Sequence, residues 1–170
     1  MNNGYDYEPQ TGSGLIFRLR EKGQTARIRL ASWPLVYDDT FKDGSTTKRM
    51  AWAAILKTQG EGGIVREAKV FVAGTMVYNA IRALSRDEDW GDPSTFDVEI
   101  ARTEKEGAYY TVTPKPAPRG PLSADEAALF AEHGYDPKSG DWAFPWIEKV
   151  LKIDTNGGGG REEYDPFQDE

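Results

Sequence analysis

The sequence predicts a mainly β protein built around a five-stranded antiparallel barrel, with one helix between the third and fourth strands. Five segments between residues 24 and 113 are strand-like, and in residues 24–32 and 96–102 apolar and polar residues alternate, which is the period of a half-buried strand. Between the third and fourth segments the apolar spacing changes to three or four residues, which is typical of an amphipathic helix. Short turns containing glycine, proline or acidic residues separate the segments.

The predicted strands are residues 24–32, 48–57, 66–72, 96–102 and 108–113, and the predicted helix is residues 75–85 with Thr75 as its N-cap. In the first strand Ala26 and Ile28 fall on one side, while Arg27 and Arg29 fall on the other. Three strands, a helix and two strands is the order of an OB-fold, a small Greek-key barrel that commonly binds oligonucleotides.

The chain divides into four predicted regions. Residues 1–14 form a polar lead, 15–120 the barrel domain, 121–155 a helical extension and 156–170 an acidic, disordered tail. Within the barrel domain, residues 15–20 are interpreted as a short strand or barrel edge, and residues 35–47 as a loop. The four prolines of residues 114–121 predict a stiff connector that ends the barrel. Ser123 and Glu126 predict a capping box for a helix that ends near Glu132, and residues 141–153 predict a last short helix.

Composition excludes several classes of site. The chain has no cysteine and one histidine, His133, which excludes disulfides, thiolate metal sites and multi-histidine metal sites. We therefore expect neither a metal nor a cofactor. No apolar run approaches the roughly 20 residues of a membrane span, and residues 1–10 do not resemble a secretory signal, so a cytoplasmic location is expected.

The charge is divided unevenly along the chain. The whole chain carries −7, yet residues 1–120 hold 17 Lys and Arg against 16 Asp and Glu, whereas residues 121–170 hold 4 against 12. A region that is nearly neutral overall, such as residues 1–120, can still bind a polyanion where its cations cluster, because the local field attracts the phosphates.

Cations and aromatic residues recur along the predicted barrel. Cations that track phosphates, together with aromatic faces that stack on unpaired bases, hold single-stranded nucleic acid. The candidate binding residues are Arg27, Arg29, Trp33, Tyr37, Lys48, Arg49 and Trp52, with Lys57, Lys69, Arg102 and Tyr109 as additional candidates. Two alternatives stay open: Trp52 can belong to the core, and Tyr37 and Phe41 can cap the barrel end.

The C-terminal tail combines acidic and aromatic residues behind a glycine spacer. Its candidate partner-binding residues are Glu162, Glu163, Tyr164, Asp165, Pro166, Phe167, Asp169 and Glu170. Such a tail suits docking to basic, hydrophobic pockets on partner proteins. It can also compete with DNA for the chain's own basic groove.

The chain resembles the single-stranded-DNA-binding proteins encoded by phages and their relatives. The resemblance rests on TARIRLASWPLVYDDTFKDG, KRMAWAAIL, IRALSRDEDWGDPSTFDVEIARTEKEGAYYTVTPKP and the acidic tail, and spans about residues 24–118 plus the C-terminus. It implies an OB-fold protein without catalytic activity that coats single-stranded DNA in replication, recombination or repair. It also implies that the tail recruits replication or recombination proteins in a bacterial or phage-infected cell. Some phage members carry a structural zinc, whose ligands this chain lacks.

Two other functions compete with this interpretation. The first is a protein-interaction module in which the barrel is only a scaffold. The second is a nuclease that holds magnesium through Asp87, Glu88 and Asp89, or through Asp97 and Glu99, which share a strand face. The sequence leaves the choice between DNA and RNA, the oligomeric state and the tail's partners open.

Overall fold

The computed structural model describes residues 14–103, 109–136 and 143–153. The strands are β1 (Ile16–Phe17), β2 (Thr25–Leu30), β3 (Leu35–Thr40), β4 (Thr46–Gly60), β5 (Gly63–Ala73), β6 (Phe96–Arg102) and β7 (Tyr110–Arg119). The helices are α1 (Thr75–Ser85), α2 (Ala124–Ala131) and α3 (Ala143–Leu151), and a short 3₁₀ helix, Pro93–Thr95, precedes β6. Most of the predicted lead and the whole C-terminal tail lie outside the described residues. The longest helix among the described residues, α1, has 11 residues, so none of these helices could span a bilayer.

All seven strands belong to one mixed sheet. An antiparallel path runs β5-β4-β2-β6-β7, β3 pairs with the first half of β4, and β1 pairs in parallel with β5. Among the described residues no ladder joins β5 to β7, so the sheet is open. The mainly β class is confirmed, whereas a closed barrel of five antiparallel strands is not.

Two segments differ from the sequence-based expectations. Residues 35–40 form β3 rather than part of a loop, because Leu35 and Tyr37 alternate with more exposed residues and become buried. The proline-rich segment does not end the sheet, since β7 continues to Arg119. β7 pairs only with β6 and lies at one end of the path, which is where a strand tolerates proline's missing N–H.

Helix α1 has the predicted bounds, although its N-cap is Gly74 instead of Thr75 and makes no side-chain capping bond. The capping box of α2 is confirmed. The Ser123 hydroxyl accepts a bond from the Glu126 amide at 3.1 Å, and the Ser123 amide donates to the Glu126 carboxylate at 2.9 Å. This reciprocal pair fixes the start of α2.

The sheet buries apolar side chains on both faces. On the inner face Trp52 stacks on Phe71 at 5.6 Å between ring centroids, and Ile81 of α1 packs into the same cluster. Trp52 is 0% exposed, so of its two possible roles the core role is the correct one. On the outer face, small residues such as Ala53 on β4 let α2 and α3 approach closely, and Trp146 packs there.

Removing Trp146 should therefore destabilise the sheet as well as the helices. Trp146 is 3% exposed, and we expect Trp146→Ala to lower the free energy of unfolding by about 3–5 kcal/mol, measured by urea denaturation. Met76 on α1 is 40% exposed, and Met76→Ala should change it by less than about 0.5 kcal/mol. Equal losses in the two variants would show that α3 is not part of the core.

Candidate nucleic-acid interface

A row of polar side chains crosses five strands on the outer face of the sheet. The register pairs Arg66 with Lys57, Lys57 with Arg27, Arg27 with Glu99, and Glu99 with Thr113. Residues directly opposite each other in an antiparallel pair project to the same face. A neighbouring row contains Ile64, Gln59, Thr25, Ala101 and Thr111. We call these two rows the outer sheet face.

Most of the outer sheet face is accessible. Thr25, Gln59, Ile64, Arg66, Thr111 and Thr113 are exposed, and the side chain of Arg27 is 38% exposed. Helices α2 and α3 cover the adjoining part of β4 and β5, where Ile55 and Val70 are buried. The helices thus divide the outer surface into a covered apolar part and an uncovered polar part.

Asp97 lies at the boundary between these two parts and is completely buried. Its carboxylate accepts hydrogen bonds from Arg27 Nε at 2.8 Å, from Arg29 Nε at 2.9 Å and from Lys57 Nζ at 2.9 and 3.0 Å. Lys57 Nζ also lies 3.2 Å from the carboxylate of Glu126 on α2. We call Arg27, Arg29, Lys57, Asp97 and Glu126 the Asp97 cluster.

The two arginines of the cluster also anchor the end of β7. Arg29 donates to the carbonyl oxygens of Pro118 at 3.1 Å and Gly120 at 3.0 Å, and Arg27 donates to that of Ala117 at 2.7 Å. Carbonyls near the end of the proline-rich strand therefore bond arginine donors, which compensates for the backbone donors that proline lacks.

The surrounding cations determine the ionisation of both carboxylates. Burial of Asp97 acts to raise its pKa, but the hydrogen bonds from Lys57 and Arg27 and the nearby charges outweigh burial, so the pKa lies below its ordinary value. The same balance lowers the pKa of Glu126, where burial is outweighed by the Ser123 amide and by Lys57. Both groups are therefore held as carboxylates.

Four of the eleven predicted binding residues are buried, so the expectation that they line an exposed surface is wrong. Arg29 and Lys57 are 2% and 7% exposed and belong to the Asp97 cluster. Trp52 is in the inner core, and Tyr37 is 5% exposed in the outer core. Burial raises the pKa of the Tyr37 hydroxyl. Strand alternation correctly placed the two arginines on the face opposite Ile28 and the inner core, but it does not reveal that Asp97 lies beside them.

Three predicted residues lie at or near the turns of the β2-β3-β4 region. Trp33 is 47% exposed in the connection that follows β2. Lys48 Nζ lies 3.1 Å from Asp38, and Arg49 Nε lies 3.4 Å from Asp39. The Arg49 guanidinium also lies 6.0 Å from the ring centroid of Phe41, which is 45% exposed.

Two further predicted residues meet at the β6-β7 connection. The Arg102 guanidinium lies 5.9 Å from the ring of Tyr109 and 5.3 Å from that of Tyr110. Tyr109 is 40% exposed, while Arg102 donates to the Tyr110 hydroxyl at 3.0 Å. Lys69 is separate from all of these, on β5, where it donates to the Gly14 carbonyl and lies 3.7 Å from Glu67.

The predicted residues therefore do not form one continuous groove. Arg66, Gln59 and Ile64 were missed as candidates. Arg66 could have been found because it faces the same side of the sheet as Lys57. That inference requires the pairing register of β4 and β5, which the alternation within one strand does not give.

The alternative carboxylate sites do not assemble a metal centre. Asp97 and Glu99 do share a strand face, but the Asp97 carboxylate is surrounded by cations and Glu99 lies 3.4 Å from Lys115. Asp87 accepts a bond from the Asp89 amide at 2.7 Å in an exposed turn. Within the described ranges no group of three or more His, Cys, Asp or Glu residues could hold a metal ion.

The chain matches no protein-family model, no curated protein and no solved structure.

Replacing the central carboxylate should be far more harmful than replacing its neighbour on the same strand. Asp97→Asn leaves the buried Arg29 without its carboxylate partner and leaves Lys57 with Glu126 alone, and we expect a loss of about 3–5 kcal/mol in the free energy of unfolding. Glu99→Gln breaks only a half-exposed pair and should cost about 1 kcal/mol or less. Chemical denaturation of both variants measures the difference, and similar losses would mean that the cluster is not a stabilising centre.

The lowered pKa values of Asp97 and Glu126 make stability depend on pH. Their contribution should be complete above the unfolded carboxyl pKa of about 4 and should disappear as pH falls through the lower folded values. Urea denaturation between about pH 6 and pH 3 should show falling stability at the acid end. A Glu126→Gln variant should lose part of this slope, and an unchanged slope would contradict the ionic role of Glu126.

Proposed function

We propose that this chain binds single-stranded DNA without sequence specificity and without catalysis, protecting it during replication, recombination or repair. The positions of the exposed aromatic residues carry the proposal. In the described part of the chain these residues are Trp33, Phe41 and Tyr109. Trp33 and Phe41 lie between β2 and β4, and Tyr109 lies between β6 and β7.

The order of the strands and of α1 allows these positions to be compared with those of an OB-fold. Counting β2, β4, β5, β6 and β7 as strands one to five, α1 lies between the third and fourth strands, as in an OB-fold. The antiparallel path β5-β4-β2-β6-β7 is open at its ends, and an OB-fold is a partly open barrel. We propose that the sheet is a variant of this fold, extended by β1 and β3.

An OB-fold binds oligonucleotides on the face of its second and third strands and with the connections between strands one and two and between strands four and five. Here the two connections contain all three exposed aromatic residues. The corresponding strand face presents Gln59 and Arg66, beside Arg27. We propose that bases stack at the connections while phosphates pass over the outer sheet face.

The energetics of this arrangement favour binding that tolerates any sequence. A stacked base is worth about 1–3 kcal/mol, and every base has a face to stack. Arg27 and Arg66 supply charge for the phosphates, because the buried Arg29 and Lys57 are compensated by the carboxylates of Asp97 and Glu126. The acidic residues of the tail, which lie outside the described ranges, keep their proposed role in recruiting replication or recombination proteins.

Single aromatic substitutions should weaken binding while leaving the fold intact. Trp33→Ala, Phe41→Ala and Tyr109→Ala should each raise the Kd for oligo(dT) by roughly 5- to 150-fold, measured by anisotropy of a labelled oligonucleotide. Met76→Ala removes an equally exposed apolar side chain from α1 and should leave the Kd unchanged.

The arginine contribution should appear in the salt dependence. Arg66→Ala should make the slope of log K against log salt shallower by about 0.7, because one fewer counterion is released from a single strand. Arg86→Ala, at the exposed end of α1, serves as the matched control. Unchanged Kd and slope in all of these variants would mean that DNA binds elsewhere on the chain. No binding of oligo(dT) by the unsubstituted chain would favour a protein-interaction module, and parallel titrations with RNA and duplex DNA test the ligand class.

A further inference from the structure

A pocket of about 250 Å³ lies beside α3. Leu15, Trp146 and Val150 supply its apolar lining. The rings of His133 and Tyr135 lie 5.2 and 6.3 Å from the ring of Trp146, between centroids, and both residues are more exposed than Trp146. None of the lining residues belongs to the outer sheet face. The pocket therefore offers accessible ring surface to a planar group at a separate place on the molecule.

The charge of this pocket comes from lysines. Lys149 and Lys152 line it, and no carboxylate is among its described lining residues. Within the part of the chain that the structure describes, neither ammonium group has an ion pair. The polar groove around Arg66 differs, because Asp125 and Glu126 accompany its cations. Uncompensated cations beside ring surface suit an aromatic ligand that carries negative charge.

The end of α3 leaves these two ammonium groups available. Lysines in the last turn of a helix often bond its final carbonyls, but here the Lys152 and Ile153 amides donate to the carbonyls of Lys149 and Glu148, at 3.3 and 3.0 Å. This is a Schellman ending with Lys152 at φ 60°, a position where glycine is usual because other residues are strained. A lysine therefore stands where glycine would be more stable, and its side chain lines the pocket.

The size of the pocket and the type of its cations narrow the class of ligand. Pockets for drug-sized molecules measure about 300–1,000 Å³, so this smaller one suits a single planar ring. Arginine recognises carboxylates through its planar fork, whereas the lysine ammonium is a point charge that commonly binds phosphate. Lysines line this pocket and arginines do not. A planar ring next to a phosphate is the chemistry of a nucleotide.

We propose that this pocket binds one nucleotide, with the base against the rings of His133 and Tyr135 and the phosphate on Lys149 and Lys152. A free nucleoside 5′-phosphate and the 5′-phosphorylated end of a strand present the same groups, and both fit this description. Every base has a face to stack, so the site should accept any base. The pocket shares no residue with the outer sheet face, so the proposal does not depend on DNA binding there.

Titration of the isotope-labelled, full-length chain with dAMP, followed by NMR, tests this proposal. We expect saturable shifts of the Trp146 indole and Lys152 amide resonances. Lys149→Gln combined with Lys152→Gln should raise the Kd for dAMP about 10-fold, because two charge contacts are lost. Lys42→Gln, at an exposed lysine in the turn before β4, is the matched control and should leave this Kd unchanged.

Other probes separate the base from the phosphate and identify the source of the ligand. Adenosine and inorganic phosphate should each bind more weakly than dAMP, and equal binding by either would overturn the proposal. If 5′-phosphorylated oligo(dT) shifts the Trp146 and Lys152 resonances at lower concentration than dAMP, the ligand is a strand end. If it binds there no better than dAMP, the ligand is a free nucleotide. Ordinary oligo(dT), which ends in a 5′-hydroxyl, should not shift these resonances, and equal shifts would overturn the one-nucleotide site.

Lys152→Gly distinguishes binding from stability. Glycine relieves the left-handed strain, so the Tm should rise, while the Kd for dAMP should also rise because one cation is lost. A Kd that stays unchanged in both the glycine and the glutamine variants would overturn the proposal. Shifts by dAMP confined to Arg27 and Arg66 on the outer sheet face would overturn it too, as would the absence of any shift.

Discussion

The buried carboxylate of Asp97 is the interaction on which much of this structure depends. One side chain on β6 binds cations from β2 and β4, and those cations hold the end of β7 and the start of α2. Burying a carboxylate is costly unless its partners are well placed, and here three cations lie within hydrogen-bond distance. Because Lys57 is shared between Asp97 and Glu126, the cluster also fixes where the helical cover begins. The uncovered part of the sheet starts beside it, so an electrostatic requirement of folding defines the surface that remains available to a ligand.

This arrangement changes how the arginines of β2 contribute to a binding surface. Arg29 donates to Asp97 and to backbone carbonyls at the end of β7, so its guanidinium is not available to contact a polyanion. The Arg27 side chain bonds Asp97 and is 38% exposed, while the Arg66 side chain is 45% exposed and lies 3.8 Å from Glu126. Few cationic side chains would therefore contact a bound ligand directly. Most of the affinity in the proposed complex must then come from stacking on Trp33, Phe41 and Tyr109, which lie in the connections and not on the strands.

The sequence predicted local features well and long-range ones poorly. The alternation around Ile28 and the helical spacing around Ile81 identified the strands and α1, because these patterns reflect which side is buried. The capping box at Ser123 was recognisable because both of its residues are close in sequence. By contrast, the burial of Arg29 depends on Asp97, 68 residues away. β3 was missed because it has only six residues and lies between Trp33-Pro34 and a turn at Lys42-Asp43-Gly44. Whether Trp52 belonged to the core could not be read from its strand alone, since aromatic residues serve both purposes.

Ultraviolet cross-linking of oligo(dT) to the full-length chain, followed by identification of the modified peptides, tests the proposed interface most directly. Adducts are expected on the peptides that contain Trp33, Phe41 and Tyr109, and they should disappear when unlabelled single-stranded DNA is added in excess. No adducts are expected on α3, where Trp146 is buried against the sheet. Adducts confined to α2 and α3, or no adducts under conditions where the oligonucleotide is bound, would contradict the proposed interface.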